Sequence, residues 1–380
     1  MTRITLSPEA GALPPGFAAA WRQLAGEHAR ALRAAGIVGG GLALVRGETI
    51  LAATHYGLAD RTTRRPADLH TIYHWASVTK TFTGMAVMQL RDRGRLHLDD
   101  PVVRYLPELR AVHDPFGSLE TVTLRHLMTH SAGFRGPTWP WGGDQPWHPH
   151  EPATWSQLVA MFPYTTLHFA PGTKTSYSNL GIVFLGRIIE ILTGDDYEVY
   201  IDKNLLRPLG MYASYFDHTP YHLLPHRSNN YEYIDGTLRE NGLDFDTGIT
   251  VSNGGLNASL ADMARYVGFL LGATARQDVY EGVLRRSSLE EMWRPHYEHG
   301  RFGPYRESVG LTFFLMEKEG IRVIGHTGDQ KGFRALLYVD PARQVGVLGT
   351  FNTETPRTKA VLFALREALF DRILPLFEPG

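Results

Sequence analysis

Cysteine is absent from this 380-residue chain. That absence removes disulfides, thiolate nucleophiles and cysteine-held zinc or iron–sulfur centres in one step. An excess of charge of one sign is missing as well. Lys and Arg number 38 against 39 Asp and Glu, the formal net charge is -1, and no block of like charge stands out. Neither nucleic acid nor an anionic membrane surface is therefore an expected partner. No apolar run approaches the roughly 18 residues that cross a bilayer. An export signal needs an unbroken apolar stretch after a positive start, and Ser7, Pro8 and Glu9 interrupt any stretch behind Arg3. The expectation is a cytoplasmic protein. Repeats and low-complexity tracts are lacking too. A composition 43% hydrophobic and 20% charged is that of a globular chain, long enough for one large core or two lobes.

Periodicity supplies the coarse architecture. Phe17, Trp21, Leu24, His28 and Leu32 fall on one helical face within 16–35, and Gly36 stops that helix. The apolar runs 41–45 and 49–56 flank Arg46-Gly47-Glu48 and read as a hairpin. Residues 77–93 form a second helix, ended by Gly94. Helical spacing recurs in 123–129, 155–162, 180–192 and 260–271. The last quarter changes character: 309–316, 321–325, 334–339 and 345–350 are short apolar runs broken by turn residues, and a closing helix follows over 357–373. The fold class expected is α+β, an antiparallel sheet flanked by N- and C-terminal helices with an inserted, mainly helical lobe. The sheet domain would be discontinuous, 1–75 with 300–380, the helical lobe 76–299, and the active site would lie between them.

Three short motifs carry chemistry. In Ser77-Val78-Thr79-Lys80 the serine and lysine lie three apart, on one helix face, so the amine reaches the hydroxyl. A desolvated lysine can serve as the base a serine nucleophile needs, and free N–H groups at a helix start help hold an oxyanion. Alone, this pattern is more often a surface helix with an unrelated lysine, but no other serine here has a lysine three residues on. Tyr177-Ser178-Asn179 follows Phe169-Ala170-Pro171-Gly172 and precedes a helix. A phenol near a charged lysine can have its pKa lowered and exchange protons with serine and leaving group, while Asn179 offers an amide donor to a substrate carbonyl. The bland alternative is a capping turn with a buried tyrosine. His326-Thr327-Gly328 ends the run 321–325, where a strand edge can dock substrate backbone-fashion. The bland alternative there is a strand ending in a turn. Each motif is weak by itself; the three in this order, each on its expected element, form a strong signal.

With these motifs the chain resembles the penicillin-recognising serine hydrolases. The likeness is to the branch holding class C β-lactamases, D-Ala-D-Ala carboxypeptidases and family VIII carboxylesterases. It covers almost the whole chain. It includes His74-Trp75-Ala76-Ser77-Val78-Thr79-Lys80, Gly94-Arg95-Leu96-His97-Leu98-Asp99-Asp100-Pro101 and His126-Leu127-Met128-Thr129-His130-Ser131-Ala132-Gly133. It continues through Pro171-Gly172, Pro208-Leu209-Gly210-Met211, Gly254-Gly255-Leu256 and Gly325-His326-Thr327-Gly328. The resemblance implies Ser77 as nucleophile, Lys80 as its partner, Tyr177 as acid/base and Asn179 as substrate ligand. It further implies His326-Thr327-Gly328 as the docking strand, with the backbone N–H groups of Ser77 and Asp329 as the oxyanion hole.

The match departs at two positions. His326 stands where β-lactamases usually carry Lys, which weakens the case for an anionic substrate. Asp329 replaces a commonly small residue, and its carboxylate would repel anions unless Lys331 or Arg334 neutralises it. Trp139, Trp141 and Trp147 either line an apolar substrate pocket or pin their own loop to the body. His126 and His130, four apart, lack the Glu that a metalloprotease helix carries, because Leu127 takes that place, and packing is the favoured reading. Gly39-Gly40-Gly41 precedes a strand, not a helix, and no G-x-S-x-G surrounds any serine. The function expected is a serine hydrolase acting through an acyl-enzyme, a carboxylesterase or amidase on neutral, fairly hydrophobic small molecules, with no metal or organic cofactor. The alternatives are a β-lactamase or D-Ala-D-Ala carboxypeptidase or D-aminopeptidase, an acyltransferase on the same fold, and, from another class, a non-catalytic penicillin-binding sensor.

Overall fold

The computed structural model describes residues 2–7, 13–138, 152–243 and 246–380. Nine strands run in one path: β1 (Thr2–Leu6), β2 (Gly39–Arg46), β3 (Thr49–Asp60), β4 (Tyr297–Phe302), β5 (Tyr305–Val309), β6 (Phe314–Lys318), β7 (Ile321–Gln330), β8 (Phe333–Asp340) and β9 (Val345–Phe351). Their order in space is β1-β3-β2-β9-β8-β7-β6-β5-β4, and Arg65–Pro66 adds a short tenth strand to β3. Every pair along the path is antiparallel. The seam is β2 against β9, Ala43 opposite Leu348, which joins strands some 300 residues apart in sequence.

The expected run 309–316 is two strands, not one. β5 stops at Val309, Gly310–Phe313 turn with Thr312 at φ 61, and β6 starts at Phe314. The β4–β5 hairpin itself was not anticipated, because β4 is exposed along nearly its whole length and carries no apolar alternation to read.

Five longer helices complete the frame: α1 (Phe17–Ala34), α2 (Thr79–Asp92), α3 (Asn179–Thr193), α4 (Leu260–Leu271) and α5 (Thr358–Ala368). The sheet has two apolar faces. On one, Phe17, Trp21 and Leu24 of α1 and Leu365 with Leu369 at the end of α5 pack onto Leu42, Leu44, Leu336 and Val347. On the other, Ala43, Val45, Leu337 and Leu348 meet Val78, Phe82, Met85 and the interior of the helical region, including Phe184 and Tyr266. α2 is buried on every side through Leu90, as a central helix must be. The Ser77 turn sits where this second face ends against β7. Among the described residues no helix is long and apolar enough to cross a membrane.

Candidate active site

Ser77 is placed by a small three-stranded sheet. Ile72–His74 pairs with Leu256–Ser259 and delivers the chain to Trp75, whose indole N–H donates to the Ala258 carbonyl at 2.9 Å. Ala76 then takes φ 46, the left-handed region that costs a residue with a side chain about 1–2 kcal/mol. Its neighbours over-determine that turn. Thr79 Oγ1 donates to the Ala76 carbonyl at 2.6 Å and accepts the Leu256 N–H at 3.0 Å. Ser77 therefore lies in a 3-10 turn, Ala76–Val78, and the α-helix proper begins only at Thr79.

Lys80 is one turn further on and fully buried. Its Nζ lies 3.0 Å from Ser77 Oγ and donates to the Asn253 carbonyl at 2.7 Å. No carboxylate among the described residues is paired with it. Burial therefore pushes its pKa well below the usual lysine value.

Tyr177 precedes α3. Ser178 caps that helix, accepting the Gly181 N–H at 3.0 Å, donating to the Arg135 carbonyl at 2.7 Å and offering its own N–H to His130 Nδ1 at 3.2 Å. The Tyr177 ring packs on His130, with centroids 4.7 Å apart, and lies near Phe314 and His326. Lys80 Nζ is 5.0 Å from its centroid, and its hydroxyl is hydrogen-bonded to Ser77. Here the structure reverses an expectation. Burial raises the Tyr177 pKa instead of lowering it, with the Ser77 hydrogen bond the smaller, opposing influence. The lysine that was to depress the phenol is itself driven towards neutrality. Asn179 opens α3, donates its backbone N–H to the Gly136 carbonyl at 2.8 Å, and has a buried Oδ1 with no partner among the described residues.

β7 brings the third motif to the same place. Its ladder with β8 runs from Ile324 to Gln330, whereas its ladder with β6 stops at Gly325 opposite Phe314. From His326 onward β7 thus presents a free backbone edge beside the Ser77 turn. Gly328 is obligatory there: a Cβ on it would lie 2.2 Å from the Trp75 carbonyl oxygen. His326 is buried, its Nδ1 sits 2.6 Å from the Thr327 carbonyl, and Nε2 has no partner among the described residues. Burial, and secondarily Lys80, pulls its pKa down to about 3, so it stands as a neutral imidazole. Asp329 is ion-paired with Arg334, directly across the β7–β8 register, and Arg334 also meets Glu354 at 2.6 Å. Of the two proposed neutralisers, Arg334 is thus the one ion-paired with Asp329, yet Glu354 shares it. Burial still raises the Asp329 pKa, opposed by Arg334.

One cavity of about 410 Å³ collects Ser77, Tyr177, Asn179, His326, Thr327, Gly328 and Asp329. Lys80 lies beneath, reaching Ser77 from the protein interior. Trp139, Trp141 and Trp147 lie outside the described residues. Sequence reasoning missed the Asn253 carbonyl that holds Lys80, and the His130 ring that seats Tyr177. His130 falls in a stretch that carried the family resemblance and Asn253 lies directly before another, but only the folded chain gives them a role. His126 Nδ1 accepts the Thr123 N–H at 3.2 Å, a capping contact, and among the described residues no group of three or more side chains has metal-ligand geometry.

Comparison with known proteins bears on the family and the fold. The family model described as Beta-lactamase matches residues 25–369. Penicillin-binding protein 4* of Bacillus subtilis (strain 168) is 26% identical over 342 residues, 85% of this chain and 70% of that protein. Esterase EstB of Burkholderia gladioli is 34% identical over 219 residues, 56% of this chain and 55% of that protein, so this chain matches only about half the esterase's length. Among solved structures, the octameric penicillin-binding protein homologue from Pyrococcus abyssi superposes with a TM-score of 0.76 at 28% identity, covering 92% of this chain and 77% of that one. A class C beta-lactamase superposes with a TM-score of 0.75 at 20% identity, covering 96% and 98%, which speaks for the fold alone.

Proposed function

This chain belongs to the beta-lactamase family, and from that premise we propose that it hydrolyses neutral, fairly hydrophobic carboxylic esters or amides through an acyl-enzyme on Ser77. The observation that carries the reading is the uncompensated burial of Lys80. An amine with no carboxylate partner among the described residues, 3.0 Å from Ser77 Oγ and held by burial well below the usual lysine pKa, is placed to act as the base. Lys80 Nζ takes the Ser77 proton as Oγ attacks the substrate carbonyl carbon, and the carbonyl oxygen becomes an oxyanion held by the N–H groups of Ser77 and Asp329. Tyr177, whose raised pKa keeps its proton on, gives that proton to the departing alkoxide or amine and is reprotonated from Lys80. Water then attacks the acyl-enzyme with Lys80 again accepting a proton, and Ser77 leaves as the hydroxyl.

The substrate class follows from charge. His326 supplies no permanent cation, and Asp329 sits on the cavity wall with its Arg334 partner shared by Glu354. An anionic substrate gains less here than beside a lysine. The name of the relative EstB supports an esterase. A second reading, β-lactam or D-Ala-D-Ala peptide cleavage, is supported by the relatives named penicillin-binding protein and beta-lactamase. The test compares a short-chain nitrophenyl ester with a chromogenic cephalosporin, using Ser77→Ala as control. Ester cleavage lost in Ser77→Ala, with little cephalosporin turnover, is the expected result. Efficient cephalosporin cleavage favours the second reading, and ester cleavage that survives loss of Ser77 refutes both.

A further inference from the structure

The cavity does not end at the Ser77 turn. It continues past Gly325 onto the opposite face of the sheet, where Glu307, Met316, Val323, Tyr338 and Arg366 line it. Gly325 makes the passage. It faces Phe314 of β6 and Tyr338 of β8 in register, and a Cβ on it would lie 1.8 Å from the Leu337 carbonyl oxygen, so no side chain fills the gap. From Thr327 back to Val323 is four residues of strand, roughly 13 Å.

At the far end stands an arginine in an unusual state. Arg366 is 7% exposed, and its guanidinium carbon lies 4.4 Å from the Tyr305 centroid, 4.8 Å from Phe363 and 5.2 Å from Phe302. Tyr338 hydrogen-bonds to it, and Nη1 is 3.8 Å from Glu307 Oε1, too long for a hydrogen bond. Its Nε is buried with no partner among the described residues. A buried guanidinium that lacks a close anion is costly unless something completes it. A carboxylate would complete Arg366 but lie against Glu307, and an ammonium would do the reverse. A neutral group with one acceptor and one donor satisfies both at once.

We propose that this end of the cavity is a second recognition subsite, in which Arg366 and Glu307 hold a carboxamide-like group at the tip of a medium-length substrate arm. The Arg366 guanidinium donates to the amide oxygen, and the amide N–H donates to Glu307. The proposal rests on the hydrolase reading above and names the arm such a substrate would carry.

The experiment uses two medium-chain nitrophenyl esters, one ending in a carboxamide and one in a methyl group. Both are assayed for turnover with the intact enzyme and for calorimetric binding to the Ser77→Ala protein. The carboxamide ester is expected to be favoured by about tenfold or more in both, as two hydrogen bonds to charged groups imply. Arg366→Met should bring that ratio near one. Glu307→Gln, which keeps shape and volume, should raise the ratio of a carboxylate-ended ester to the carboxamide-ended one by about tenfold, and it decides the matter if Arg366→Met fails to fold. Equal binding of the two esters by the Ser77→Ala protein, or ratios unmoved in the folded variants, would overturn the subsite. Turnover that is absent in the intact enzyme while the binding preference stands would instead overturn the hydrolase reading and leave the subsite in place.

Discussion

Replacing Gly328 by alanine tests how closely the docking strand must approach the nucleophile turn. The added Cβ would sit 2.2 Å from the Trp75 carbonyl oxygen and 3.2 Å from the Ala76 Cβ, and the nearer atom is backbone that cannot rotate away. Ordinary contact begins near 3.4 Å, so strand and turn must part by about 1.2 Å. Gly328 is not among the residues with positive φ, so steric conflict alone is at issue. A displacement of that order between a nucleophile and its substrate dock costs about a hundredfold in rate. Overpacking also costs about 1–3 kcal/mol of stability, which must be separated from the geometric effect. Gly346→Ala provides the control, because its Cβ would meet Val267 Cγ1 at 2.4 Å in the core between β9 and α4. Both variants should melt earlier, but only Gly328→Ala should lose about a hundredfold in kcat/KM for a nitrophenyl ester. If Gly328→Ala keeps kcat/KM within about threefold of the parent, the claimed contact between β7 and the Ser77 turn does not position the chemistry.

Three further outcomes are expected. Tyr177→Phe keeps the ring contacts with His130, Phe314 and His326 and removes only the hydroxyl, so it should fold normally and lose about 10²–10⁴-fold in kcat; a normal kcat would remove Tyr177 from the proton path. Burial sets the folded pKa of Lys80 below its unfolded value, so between the two the unfolded chain binds the extra proton and stability rises with pH. Thermal melts from about pH 6 to about pH 9 should therefore show the parent gaining on Lys80→Met as pH rises, and a constant difference would mean Lys80 is not perturbed. Asp329→Ser leaves Arg334 with Glu354 alone and should raise the ratio of cephalosporin to ester cleavage by about tenfold, the scale of one charge near the cavity. An unchanged ratio would exclude Asp329 from substrate choice.

Much of this site was legible in the sequence because helix geometry is local. Serine and lysine three apart on a helix must face each other, and Ser77 and Lys80 do so even though the first turn is 3-10. The cross-strand pair Asp329–Arg334 was within reach for the same reason, as a tight turn fixes the register of its two strands. What escaped involves partners remote in sequence. Asn253 meets Lys80 across 173 residues, and Arg366 reaches the cavity from α5, a helix whose spacing reports only that one face is apolar. The direction of the Tyr177 shift escaped because it depends on whether Lys80 carries charge, and burial, not spacing, decides that. In the fold, β4 was missed because an exposed edge hairpin leaves no hydrophobic signature.

The seam between β2 and β9 sets a timetable for the molecule's life. A ribosome that has finished β2 and β3 must make about 285 further residues before β9 emerges to cover them. The Ser77 turn is likewise made long before β7, so the Trp75 carbonyl has no Gly328 packed against it until β7 has been made. Such long-range closure slows folding and leaves strand edges open to chaperones or to other chains in the interval. On the mechanism proposed above, activity would wait for β7, and a nascent chain stalled before it would carry Ser77 and Lys80 without their docking strand.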